Sequence, residues 1–366
     1  MGFIQDIRNR IALFYESGNH AEQIAPETWA RFFRKLITWS LGIGLGIYIL
    51  IVIIDPFDTL NLSPPLTRVP ITRSGRFKFP ALARSEKFDS VIIGTSTSRL
   101  LQPTVLNPLF EARFVNLAMD ASTAYEQFKI LDVFTRHHHI PKVVIIGIDS
   151  VWCRKGKAFE KYTPRPFPEW MYDDNPWNDY LNHFNLFTIE QAGRQLATIV
   201  GLRPVKYGLD GYTNFLPDPS EYDLEKARKH LYRNGPKRVA PVEPPVCLSE
   251  AKKRGLRFPA HRLLADALAA LPDATQKIAF FPPYHVAGQP RPGSRKAAVL
   301  AECKSRVAQI INRVPNGIGI DFMIASPLTT EDRNYWDRVH YSEKTGKLLM
   351  GLLKEAVAKR KETEFA

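Results

Sequence analysis

The stretch Val91-Ile-Ile-Gly-Thr-Ser-Thr-Ser-Arg-Leu100 (VIIGTSTSRL) joins a short apolar run to a glycine and four small hydroxyl residues. Consecutive β-branched residues without alternation read as a strand buried on both faces, the pattern of a parallel sheet. In such sheets functional groups collect in the loops at the carboxyl ends of strands. Ser96 therefore stands where a nucleophile belongs, and its neighbours read as turn and cap residues. Ser98 falls two positions further on, inside the element that follows.

Strands and helices alternate outward from this point. Further strands are expected at Phe114–Leu117, at Lys142–Ile148 (KVVIIGI, apolar on both faces and so central), at Ile278–Phe281 and at Ile318–Met323. Helices are expected over Ser122–Thr135, over Ser294–Val314 and after Ser342, the last burying Leu348, Leu349, Leu352, Leu353 and Val357. This order predicts an α/β fold, a three-layer αβα sandwich around a central parallel sheet. Residues 151–275, rich in aromatics and proline, are too long for a plain loop and read as an inserted cap with helices at Thr188–Val200 and Tyr222–Tyr232.

Near the start, Leu36–Ile54 (LITWSLGIGLGIYILIVII) is an uncharged run of bilayer-spanning length. Arg31, Arg34 and Lys35 precede it, and Asp55 and Asp58 follow. The positive-inside rule then puts the N-terminus in the cytoplasm and the main domain outside. No small-x-small cleavage site follows, so the run reads as an uncleaved signal anchor of a single-pass inner-membrane protein. The expected organisation is a cytoplasmic segment over 1–35, with residues 4–15 lying along the membrane surface, and the anchor over 36–54. A proline-broken linker covers 55–87, the sandwich 88–348, and a C-terminal helix and tail 349–366.

The net charge of +13 raises the question of nucleic acid. Lys and Arg are scattered, without a basic helix or a zinc-finger, RRM or KH pattern, so no nucleic-acid partner is expected. Absence of GxxxxGK and GxGxxG removes support for a nucleotide role. Cys153, Cys247 and Cys303 lack metal-ligand spacing. Cys303 falls on the apolar stripe of its helix and reads as packing, and whether Cys153 and Cys247 pair is not legible in the spacing. His137-His138-His139 are adjacent on a helix end and cannot easily converge on one ion. No metal and no cofactor is expected.

The most specific chemistry lies in Asn334-Tyr-Trp-Asp-Arg-Val-His-Tyr-Ser342. A hydrolytic serine needs a base, and the base needs a carboxylate to fix its tautomer. Asp337 and His340, three apart in one turn, supply both. Arg99 at the helix start could take an anionic group, and Tyr284 and His285 in FFPPYH should face the same rim after the fourth strand.

These blocks resemble the SGNH (GDSL-like) hydrolase superfamily. Gly94-Thr95-Ser96 matches its first block, NLAMDAS (116–122) its second, IGIDS (146–150) its third and Asp337-Arg-Val-His340 its last. The resemblance implies a Ser96–His340–Asp337 triad and an oxyanion hole made by the backbone of Ser96 and Ala121. Asp149 stands where the family's asparagine would donate, and Asn116 lies in the substrate-facing block. An ionised Asp149 would repel an oxyanion, so it must be protonated or turned away. More narrowly, an anchored extracytoplasmic domain with these blocks resembles the SGNH proteins of alginate O-acetylation and of D-alanyl transfer to teichoic acids. That implies an esterase or O-acyltransferase on a cell-surface or exported glycan, partnered by the bilayer and an acyl-donor membrane protein. The alternative is a non-catalytic SGNH-like factor that binds glycan during modification or export.

Overall fold

The computed structural model describes residues 26–71, 74–205, 207–233, 235 and 240–364. The expectation for residues 4–15 lies outside them. The chain divides into two compact units, the first ending at Ile53 and the second running from Ile54.

The first unit is helix α1 (Pro26–Ile54), longer at its N-terminal end than the apolar run because Pro26 starts a helix well and Glu27 suits its first turn. It is long and apolar enough to cross a membrane. Trp29, Phe32 and Phe33 cluster at its basic end, with ring centroids 5.7 to 6.0 Å apart.

The second unit is built on five parallel strands, β1 (Ser90–Ile93), β2 (Phe114–Asn116), β3 (Val143–Gly147), β4 (Gln276–Phe281) and β5 (Gly317–Asp321), in the order β2-β1-β3-β4-β5. β3 is central and wholly buried. Alternate residues serve two cores. Val91, Ile93, Val144, Ile146, Ala279 and Phe281 point to one face, and Ile92, Ile145, Ile278 and Phe280 to the other. Four helices cover the first face: α2 (Gly75–Arg84), α4 (Ala124–His137), α7 (Ala260–Ala269) and α8 (Arg295–Ile311). On the second lie α3 (Pro103–Phe110) and α9 (Glu343–Glu364). Further helices lie between β3 and α7, the two longest being α5 (Leu186–Ile199) and α6 (Leu224–Tyr232).

Several expectations need correction. The segment 55–87 is not a plain linker: α2 packs on α4, with Pro80 tolerated inside it and Phe79 and Ala83 buried. The segment 151–275 does not remain separate from the sandwich to its end, because α7 lies against α4 as the crossover helix between β3 and β4. On α9, Leu349, Leu353 and Val357 are buried but Leu348 is 54% exposed; Met350 takes the inward place. Cys303 is not a packing thiol. It is disulfide-bonded to Cys153, tying α8 to the turn after β3, while Cys247 is free and exposed.

One charged contact inside the first core decides a stability prediction. Arg76 on α2 donates to both carboxylate oxygens of Glu126, at 3.0 and 2.7 Å, with both side chains essentially inaccessible. Glu126 also closes the capping box of α4 with Thr123. Replacing Glu126 by alanine strands the Arg76 guanidinium in the core and removes the carboxylate half of the capping box. The expected loss is about 3–5 kcal/mol, seen as a lower urea midpoint of the detergent-solubilised chain.

Candidate active site

The strand order reverses between β1 and β3, the place where open α/β sheets form a crevice beyond their carboxyl ends. The residues that follow those two strands meet there. β1 is followed by Gly94, whose φ of +154° suits glycine. A Cβ on Gly94 would come within 2.1 Å of the Ser98 hydroxyl, and one on Gly147 at the end of β3 within 2.0 Å. Ser98 thus fills the gap between two strand ends, buried, its hydroxyl without a hydrogen-bond partner among the described residues. It begins the short 3₁₀ turn Ser98–Leu100 and faces the sheet. Ser96, two residues earlier, remains half-buried.

Ser96 Oγ lies 2.8 Å from His340 Nε2, and His340 Nδ1 lies 2.7 Å from Asp337 Oδ2. The loop bearing the last two is held at both ends. Tyr335 and Tyr341 form an antiparallel bridge, Trp336 N–H donates to the His340 carbonyl, and Ser342 N–H donates to that of Asn334. The buried phenols then pin the loop to its neighbours: Tyr341 donates to the Thr97 carbonyl at 2.6 Å and Tyr335 to that of Pro283 at 2.7 Å. Asp337 Oδ1 accepts the backbone N–H groups of Val339 and His340, each at 2.8 Å. Burial works to raise the Asp337 carboxyl. The hydrogen bond and charge of His340, with the two N–H groups, outweigh it and hold the group below the usual carboxylate range. Phe215 packs edge-on against the imidazole, with centroids 5.4 Å apart.

The β2–α4 loop is tied to the end of β1 by Met119 N–H and the Ser122 hydroxyl, both donating to the Gly94 carbonyl. Ala121 adopts a left-handed φ of +47°, uncommon for a residue with a Cβ. Among the described residues, neither the Ser96 nor the Ala121 backbone N–H is given an acceptor.

Asp149 is tied to the residues on either side of Ser96. It is buried, and its carboxylate accepts the hydroxyls of Thr95 at 2.7 Å, Thr97 at 3.1 Å and Tyr284 at 2.6 Å. Burial pushes its pKa up, and the three hydroxyl bonds oppose that. Thr95, Thr97 and Tyr284 are therefore partners of this carboxylate, a role their sequence positions did not reveal. Tyr284 is committed to Asp149 by its hydroxyl and borders a neighbouring cavity.

Two expected substrate contacts point elsewhere. Asn116 is buried; its amide donates to the Ser98 and Leu101 carbonyls at 3.0 and 2.8 Å and accepts from Ala118 N–H. It fastens the turn after Ser96 to the next loop. His285 is fully buried, accepts Ala287 N–H on Nδ1 and lies 3.3 Å from Asp332, which also holds Tyr232 and Arg228. Both side chains are buried within the fold. Arg99 does stay near the site, its guanidinium 4.8 Å over Phe215 and 3.9 Å from Asp120.

Lys78 is the residue that sequence reasoning missed, since nothing in GRFKFPALAR distinguishes it from a surface lysine. It is 5% exposed, its ammonium sits 4.0 Å over the Tyr207 ring, and it has no hydrogen-bond partner among the described residues. Burial, reinforced by the Arg99 charge and opposed by Asp120, pushes its pKa down to about 7. The unfolded chain binds this proton up to about pH 10.4, so the buried charge weighs on folding fully below pH 7. The cost fades as pH rises towards 10.4. Lys78→Met is expected to raise the denaturation midpoint at pH 6, and the gain should shrink steadily between pH 7 and 10.

Among the described residues no group of three or more His, Cys, Asp or Glu is placed to hold a metal ion. No family model matches the chain, and no curated protein matches it closely enough to be identified as a relative.

Proposed function

We propose that this chain is a serine esterase or O-acyltransferase of SGNH type, anchored by α1 with its main domain extracytoplasmic, and acting on an exported or cell-surface glycan. The observation that carries the reading is the unbroken hydrogen-bonded line from Ser96 Oγ through His340 to Asp337. Ser96 Oγ attacks the acyl carbonyl as His340 Nε2 takes its proton, and Asp337 stabilises the resulting imidazolium. The N–H groups of Ser96 and Ala121 hold the oxyanion, and the three hydroxyls that donate to Asp149 offset the negative charge of its carboxylate. His340 returns the proton to the departing oxygen, leaving an acyl-Ser96 ester. Water or a sugar hydroxyl, deprotonated by His340, then takes the acyl group.

A recess of about 430 Å³ beside His340 suits a sugar acceptor, because Phe215 and Trp336 line it and Glu221 and Asp223 can accept from hydroxyls. The acyl group would come from a membrane partner, and the positive-inside charge pattern supports the orientation. The test is covalent labelling with a fluorophosphonate ester. One adduct is expected, mapped to the peptide bearing Ser96 and lost in Ser96→Ala. A folded chain that stays unlabelled, beside a serine hydrolase that labels, overturns the reading.

A further inference from the structure

Asp337 also borders a second cavity, of about 800 Å³, whose other charged walls are basic. Lys229 and Arg233 come from α6 and the residue past its end, Lys296 from the first turn of α8, and Arg338 from the triad loop. Among the described residues none of these four cations is in an ion pair. Their neighbours are treated differently: Arg228 on α6 is paired with Asp332 at 2.8 Å, and Lys304 on α8 with Asp321 at 2.9 Å. The single carboxylate in the wall, Asp337, already has its oxygens occupied by His340 and two backbone N–H groups. The cavity is therefore a focus of positive potential awaiting an anion.

It does not end there. An apolar groove of about 660 Å³, walled by Val286, Pro292, Ala297, Ala301 and Ile324, shares Gln289, Pro290, Leu300 and Met323 with the basic cavity. Four common lining residues place the two spaces side by side, a charged one and a greasy one. Ile324 is 50% exposed, and the groove's own charges, Lys304 and Asp321, neutralise each other.

We propose that the two spaces together bind one anionic amphiphile, its phosphate head among Lys229, Arg233, Lys296 and Arg338 and one hydrocarbon chain along the groove. Lysine and arginine together match a phosphate, by point charge and by forked hydrogen bonds. Free phosphate would leave the groove unused, and an anionic sugar chain would meet hydrocarbon walls where its hydroxyls need partners. α1 is apolar enough to keep the chain at a bilayer, where such molecules are at hand. The inference concerns binding and does not rest on Ser96 chemistry.

Native mass spectrometry of the full detergent-solubilised chain tests it, with dioleoyl phosphatidic acid against dioleoyl phosphatidylcholine as probes. The basic end of α1 is common to the parent chain and its variants, so the readout is the preference between the two lipids over and above that of the variants. One phosphatidic acid should bind at least about tenfold more tightly than the choline lipid. K229E/K296E, which changes two exposed side chains, should erase that preference, with K229Q/K296Q as the second variant if the reversal unfolds the chain. A301W, which fills the groove from an exposed position, should weaken phosphatidic acid at least about fivefold. Equal binding of the two lipids overturns the proposal. So does displacement of phosphatidic acid by millimolar inorganic phosphate with A301W unaffected, which would leave an anion site without a chain. Displacement by trigalacturonate, marking a site for anionic glycan, overturns it as well.

Discussion

Alanine at position 96 is expected to lower ester turnover by about 10⁴- to 10⁶-fold while leaving the fold and its unfolding midpoint nearly unchanged. Ser96 Oγ makes one hydrogen bond, to His340, and the side chain is only half-buried, so its loss opens no core cavity. The residual rate should come from the Ser96 and Ala121 N–H groups and from binding alone, which the substitution preserves. Ser98→Ala makes the discriminating control. That hydroxyl is packed between Gly94 and Gly147 without a partner, so the variant should keep its turnover within a few-fold. Turnover that survives Ser96→Ala and collapses with Ser98→Ala would move the nucleophile and end the triad reading.

The sheet was legible because its strands are strongly biased. Runs such as VVII admit few alternatives once the flanking segments show helical periodicity, and the chain's strand ends follow within one or two residues. The triad was legible for a related reason: strand-end serine and Asp-x-x-His are local patterns whose spacing carries the chemistry. What stayed hidden depends on contacts distant in sequence. The Asp149 carboxylate takes one of its hydroxyl partners from Tyr284, 135 residues away. Cys153 finds Cys303 across 150 residues because α8 crosses the turn after β3. Asn116 looks like a ligand in a loop block, yet its amide satisfies two backbone carbonyls of the turn after Ser96. Lys78 is the clearest case, since only the packing of α2 beneath Tyr207 makes its charge costly.

Asparagine at position 337 is expected to cost about 10⁴-fold in turnover, and the geometry says why. Asp337 uses its two oxygens for different tasks: Oδ1 accepts Val339 and His340 N–H, and Oδ2 accepts from His340 Nδ1. An asparagine there has one oxygen, and two backbone donors compete for it against a single imidazole. The carbonyl oxygen therefore takes the Oδ1 position and the NH₂ group faces Nδ1. Two donors cannot face each other, so the imidazole must move its proton to Nε2. Nε2 is the atom 2.8 Å from Ser96 Oγ, and once protonated it cannot accept the serine proton. The fold keeps its backbone bonds and the loop its place, so the loss should fall on kcat, with little change in KM or in the unfolding midpoint. Asp337→Ala frees the imidazole to choose either tautomer and should retain more activity than Asp337→Asn, provided the loop holds through Tyr335 and Tyr341. Side-by-side kinetics of the two variants decide the point: asparagine as active as the parent would show that Asp337 does not set the tautomer of His340.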